Sequence, residues 1–267
     1  MLIAIAGCAA LARRGAFVDE RRVGGLDADG NIVADRTEAS TEVIRRAYRN
    51  GIVLTGGGGL AETPIIDWRR YADDLSDNHD SFRSFVTRAR LIAADRNAGN
   101  QVILIDSRGA PFLMALERAA DPNPDTSLIA RREREFVEEM DRWLDNVAAD
   151  QGPGMRAEKV IRDKPSEVVD TCWTTDGEKV TGSAAYGVTG RCSQVYPQHG
   201  DPRIAAGGPM TDNTLKCELK AVSSADYSHP LTADQMKRLK AVFPSGVCDY
   251  SRPGVGQEMT NTTWQQY

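Results

Sequence analysis

The chain has 267 residues, with 33 Lys and Arg against 38 Asp and Glu and a formal net charge of −5 at pH 7. Opposite charges are interspersed, which excludes the basic footprint of a nucleic-acid binder or an anionic-membrane binder. Hydrophobic residues make up 41% of the chain, enough for a packed core at this length, and no apolar run approaches the roughly 20 residues of a membrane span.

The opening "MLIAIAGCAALARRG" resembles the end of a lipoprotein signal around Cys8, but it lacks a basic start and has too few residues before the cysteine. It reads as a blunt or truncated start. Further on, Asp27, Asp29, Asn31, Val33, Asp35 and Glu38 occupy the 1, 3, 5, 7, 9 and 12 positions of a calcium loop. The sixth position, which needs glycine, is Ile32, so a hairpin or polar turn is expected there.

Residues 41–49 place Val43, Ile44, Ala47 and Tyr48 on one helical face, and Asn50 with Gly51 supplies a stop. A buried strand is expected at once, from Ile52 to Thr55. Four glycines follow, at 56–59. Gly56, Gly58 and Ala61 match a dinucleotide-binding pattern, but Pro64 falls where the second turn of its helix belongs, and no lysine follows for a P-loop. An oxyanion loop would carry a histidine where Thr55 stands and would precede a nucleophile, yet the chain contains no Gly-x-Ser-x-Gly. The remaining reading makes the glycines a tight exit from the strand. Asp67 then lies in the crevice at the strand's carboxyl end, where α/β enzymes place their chemistry. The competing role for Asp67 is a turn cap or a pair with Arg69 or Arg70.

Three histidines are available as a general base, His79, His199 and His229, and His79 shares the inter-strand loop with Asp67. A second helix is expected from Asp80 or Ser81, with Phe82, Phe85, Val86, Ala89, Ile92 and Ala93 at helical spacing, ending at "NAGN". "QVILI" at 101–105 reads as a strand buried on both faces. After "ADPNPD" comes a long amphipathic helix, whose apolar stripe runs from Ile129 through Phe136, Val137, Met140, Trp143 and Leu144 to Val147.

Helix, strand, helix, strand, helix is the rhythm of a doubly wound α/β sheet. Two strands cannot complete one, so residues 1–150 read as a partial domain whose first part lies outside this chain. From "DQGPG" at 150–154 the chain becomes turn-rich, apart from a short helix announced by the Thr232 and Gln235 capping box. Cys172, Cys192, Cys217 and Cys248 fall in this region, 151–267. An even number of cysteines in a loop-rich stretch suggests disulfides and an oxidising compartment. Pairing of sequence neighbours, Cys172 with Cys192 and Cys217 with Cys248, closes the smaller loops. With no Cys-x-x-Cys pair and no histidine doublet nearby, a metal site is not expected.

"GGLDADGNIVADR", "GGGGLAETPIIDWRRYADD", "SFVTRARL", "YPQHGDPRIAAGGP", "LKCELK" and "FPSGVCDYSRPGVGQ" together resemble, over roughly residues 17–267, the carboxyl-terminal half of a bacterial family known as domain of unknown function 6351. The resemblance implies a long exported protein related in layout to α/β-hydrolases, tannases and feruloyl esterases, with a serine nucleophile in a Gly-Gly-Ser-Gly-Gly elbow. That elbow is not in this chain. Under the resemblance Ile52–Thr55 and 101–105 become the last two sheet strands, Asp67 the triad acid and His79 the base.

The function expected is that of a serine esterase-type hydrolase acting on a small-molecule or polymeric ester, without a cofactor, extracellular or periplasmic, and inactive without the nucleophile. The alternative is a non-catalytic exported module for binding or structure, stabilised by calcium.

Overall fold

The computed structural model describes residues 39–75, 80–107, 128–174, 177–182, 184–227 and 229–258. Cys8, the calcium-like stretch 27–38 and His79 lie outside them. Helix α1, Thr41–Arg49, starts where the Ser40 hydroxyl accepts the Val43 N–H. It buries Ile44 and Tyr48 and ends at Asn50.

The expected strand at 52–55 does not form. Residues 51–55 are turn and loop, and Ile52 and Leu54 are 59% and 69% exposed. Strand β1 lies beyond the glycines, at Ile65–Arg70, beginning directly after Pro64. Helix α2, Phe82–Asp95, and strand β2, Gln101–Asp106, follow as expected. The long helix α3, Leu128–Ala149, and the short α4, Arg156–Arg162, come next.

The sheet has four strands in the order β1-β2-β3-β4. Its third and fourth strands, β3 at Thr171–Trp173 and β4 at Lys179–Thr181, come from the region expected to hold only turns. β1 pairs with β2 in parallel from Ile65 against Gln101 to Arg70 against Asp106, β2 pairs with β3 in parallel, and β4 is antiparallel to β3.

Side chains of β2 alternate between two cores, as the two-residue period of a strand requires. Val102 and Leu104 face α3 and α4, packing with Phe136, Trp143, Val147, Val160, Val168 and Trp173. Ile103 and Ile105 face the other way, toward Phe85 of α2, Tyr71, Cys172 and Tyr196. On α3 the buried stripe keeps Phe136, Trp143 and Val147, whereas Val137 and Leu144 point outward, 61% and 40% exposed.

Residues from Val180 to Met210 contribute side chains to the Ile103 face. The short helix α5, Arg191–Val195, is bonded to β3 through the Cys172–Cys192 disulfide. A four-residue helix α6, Pro202–Ala205, leads to the antiparallel pair of β5, Glu218–Lys220, and β6, Val247–Asp249. That pair is joined by the Cys217–Cys248 disulfide. Between its strands lies helix α7, Ala233–Val242, opened by the Thr232 and Gln235 capping box. Both disulfides join the sequence neighbours expected.

One ion pair holds these layers together. Arg88 of α2 uses every N–H of its guanidinium. It donates to both carboxylate oxygens of Asp170 at 2.6 and 2.8 Å, to the Ala184 carbonyl, and to the side chain and carbonyl of Gln101. The Asp170 carboxylate accepts in addition the backbone N–H of Ile103 in β2 and of Ala184. Both side chains are largely buried. Replacing Arg88 with Met would leave the Asp170 charge stranded, and we expect a loss of about 3–5 kcal/mol in a urea titration. A loss below about 1 kcal/mol would show that the pair behaves as an exposed surface bridge.

Candidate active site at the carboxyl ends of the parallel strands

Because β1, β2 and β3 run in the same direction, their carboxyl ends open on one edge of the sheet, the usual place for chemistry in an open α/β fold. At the end of β1, the Tyr71 N–H donates to the Asp106 carbonyl and the Tyr71 hydroxyl donates to the Pro197 carbonyl at 2.6 Å. Asp73 is only 1% exposed. Its two oxygens accept from the Ser81 N–H at 2.8 Å and the Ser81 hydroxyl at 2.7 Å. Ser81 therefore spends its side chain on Asp73 rather than on capping α2, whose first residue it precedes. These bonds tie the start of the β1–α2 connection to its end, with His79 in the segment between.

Asp80 stands beside this closure. Its Oδ1 is buried without a hydrogen-bond partner, and Arg83 Nε comes only to 3.8 Å. Burial pushes the Asp80 carboxyl above the usual aspartate range, the nearby Asp73 adds to the effect, and Arg83 opposes it.

At the end of β2, buried Asp106 accepts the Ser107 N–H at 2.7 Å. Arg132, reaching in from α3, places Nε 3.1 Å from Asp106 Oδ2 without aligned hydrogen-bond geometry, and its Nη1 is buried with no partner. The guanidinium lies 4.0 Å over the Trp173 ring. Burial lowers the Arg132 pKa, against the pull of Asp106. Tyr196 completes the cluster. Its hydroxyl donates to the Trp173 carbonyl at the end of β3, and its ring packs 5.1 Å from Tyr71. Burial, then the Asp106 charge, push the Tyr196 phenol up to about 12. It therefore acts as a hydrogen-bond donor and not as a base at neutral pH.

Asp67 occupies a different position from the one expected. It is the third of six residues in β1, not beyond the strand. Its Oδ1 accepts from Arg69 Nε at 3.1 Å and its Oδ2 from Gln101 Nε2 at 3.2 Å. Arg69 Nε also donates to Ser84 of α2. Since Gln101 is the first residue of β2, the Asp67 carboxylate turns toward the amino half of the sheet. Of the other histidines, His229 is exposed on the far side of the chain's order, before α7, and His199 is exposed within the segment that Tyr71 holds through Pro197. The His199 carbonyl accepts from the Tyr186 hydroxyl.

The glycine run is a packing device rather than a strand exit. A Cβ built on Gly56 would lie 2.0 Å from the Arg90 carbonyl of α2, so only glycine allows this approach. Gly58 and Gly59 take φ of 69° and 86°, which turns the chain into the short 3-10 helix at Leu60–Glu62. Asn100, the residue before β2, donates to the Leu60 and Thr63 carbonyls. This arrangement places the loop at the amino end of the strands, away from the carboxylates. Among the described residues no cluster of His, Cys, Asp and Glu is arranged to hold a metal ion, and no helix is long and apolar enough to cross a membrane.

Asp106, Arg132 and Tyr196 were not singled out from the sequence. Asp106 has a signal, as the acid closing the apolar run of β2. Tyr196 opens "YPQHGDP", a motif noted for its histidine.

The model of the tannase-like family of unknown function, DUF6351, matches residues 15–259, and the chain belongs to that family. Neither the curated proteins nor the solved structures contain a match.

The Asp80 environment sets a pH dependence. Because its carboxyl is raised in the folded state, the native chain holds this proton more tightly than the unfolded chain. The associated stability is complete below the unfolded value, about 3.9, and is lost as pH rises through the folded one. Asp80→Asn, neutral throughout, should melt higher than the wild type at pH 7.5, and the gap should close near pH 4. An Asp80→Asn chain less stable at pH 7.5 would mean that the Arg83 attraction outweighs burial.

Proposed function

We propose that this tannase-like chain carries the acid and base of a serine-type ester hydrolase, working at the carboxyl ends of β1, β2 and β3, in an exported protein. The observation that carries the reading is a buried carboxylate at or just beyond the carboxyl end of each of β1 and β2, Asp73 and Asp106, in a chain whose family is esterase-related. The two disulfides fit an oxidising compartment. Because the chain has no Gly-x-Ser-x-Gly, the nucleophile in this reading is a serine elbow contributed from outside these residues.

The base is proposed to be His79, oriented by an aspartate. Asp67 is the aspartate indicated by sequence, and its pairing with Arg69 and Gln101 supports a role in holding β1 as well. Asp73 is supported by geometry: it follows the carboxyl end of β1 and grips Ser81, two residues past His79. His199 is the second histidine near this edge. In catalysis the histidine would take the serine proton as the serine attacks the ester carbonyl, then return it to the leaving alcohol, while the carboxylate holds the imidazole tautomer.

The test joins the chain to an elbow-bearing segment and measures p-nitrophenyl ester hydrolysis per mole of folded protein. The chain alone should show no turnover above the buffer rate. In the joined protein His79→Ala should abolish activity while His199→Ala leaves it near normal. Whichever of Asp67→Asn and Asp73→Asn removes the triad acid should lower kcat by on the order of 10⁴-fold with the fold intact. The other should alter stability by about 1 kcal/mol and leave turnover unchanged. Normal activity in the His79 variant and in both aspartate variants would refute the assignment. Absence of activity from every joined form would favour the non-catalytic module.

A further inference from the structure

The Ile103 face of the sheet contains a cavity of about 190 Å³. Ile103 and Ile105 of β2 with Phe85 of α2 form its floor, the Tyr196 ring closes one side, and Cys192 of the buried disulfide closes another. Its rim includes Gly182, Ala184, Ala185 and residues 188–190, and Gly182 and Gly190 face open space.

Below its mouth, the described polar side chains around this cavity are already committed. The Ser193 hydroxyl donates to the Gly190 carbonyl and accepts the Gly190 N–H. Gln198 accepts from the Gly187 N–H and donates to the Ala185 carbonyl. Arg191 pairs with Glu178, the Thr171 hydroxyl donates to the Val169 carbonyl, and the Tyr196 hydroxyl donates to the Trp173 carbonyl. Thr181 and Thr189 sit exposed at the mouth. Apolar cavities of roughly 150 Å³ take up benzene, so one ring fits here. A hydroxyl carried into the floor would lose its water partners and meet, among the described residues there, only side chains that are apolar or already committed.

We propose that this cavity binds a small, neutral, apolar ring and discriminates against the same ring bearing several hydroxyls. Ile105 and Tyr196 border both the cavity and the Asp106 cluster, so the bound ring would be the side group of an ester presented to that edge. Only this last step rests on the hydrolase reading.

The experiment is saturation-transfer NMR on the full chain with toluene and with 1,2,3-trihydroxybenzene. Toluene should bind at least about tenfold more tightly than the trihydroxy ring. Ala184→Leu, which fills the cavity, and Gly182→Leu, which adds a side chain at an open rim position, should each weaken toluene binding by about tenfold or more. Circular dichroism checks the fold of each variant, and if Ala184→Leu does not fold, Gly182→Leu decides. Absence of toluene binding, equal or reversed ring preference, or toluene binding unchanged in the folded variants would overturn the proposal. Because binding needs no turnover, toluene binding as expected in a protein that hydrolyses no ester would remove the hydrolase reading and leave this one standing.

Discussion

The join between α2, the sheet and the loop after β4 depends on where the Asp170 carboxylate sits. Asp170 immediately precedes β3, and its oxygens accept the Ile103 N–H at the point where β2 has no third-strand partner yet. The carboxylate thus stands in for one rung of the ladder. A bare carboxylate at that depth would be unfavourable by several kcal/mol, and Arg88 compensates with a bidentate contact whose planar fork matches both oxygens. Through Ala184 the same two residues also fix the loop that roofs the ring-sized cavity. Helix α2, the start of β3 and Ala184 of that loop are consequently bonded to one another.

The two ends of the parallel strands are built from different polar groups. At the amino end, Asn100 bridges two carbonyls and the glycine loop lies flat on α2. At the carboxyl end, Asp80 Oδ1 and Arg132 Nη1 are both buried without hydrogen-bond partners. Arg132 is held by contact with Trp173 and by the charge of Asp106, which keeps its unused donor in place.

Elements set by local pattern could be read directly. The continuous apolar run of β2 and the helical spacing of α1, α2 and α3 each reflect burial that repeats with the period of the element. β1 was missed because its inward residues include Asp67 and Arg69, which satisfy each other and Ser84 against α2. The apolar stretch 52–54, which looked like the strand, leaves Ile52 and Leu54 in solvent. β3 and β4 are three residues long, too short for any period, and exist because Asp170 and a disulfide position them. For the same reason the site was only half legible: Asp67 stood out beside an apolar run, whereas Asp106, Arg132 and Tyr196 converge from three separate segments through contacts that no local spacing records.

The Cys172–Cys192 bond also has two sulfurs of unequal access. Cys172 is completely buried in β3, on the face shared with Ile103 and Ile105, whereas Cys192 is half-buried and lines the cavity. Thiol–disulfide exchange needs a sulfur that the attacking thiolate can reach. A reductant entering the cavity therefore meets Cys192 first, and the Cys172 thiolate it releases stays in the core, placed to attack the mixed disulfide on Cys192 and restore the bond.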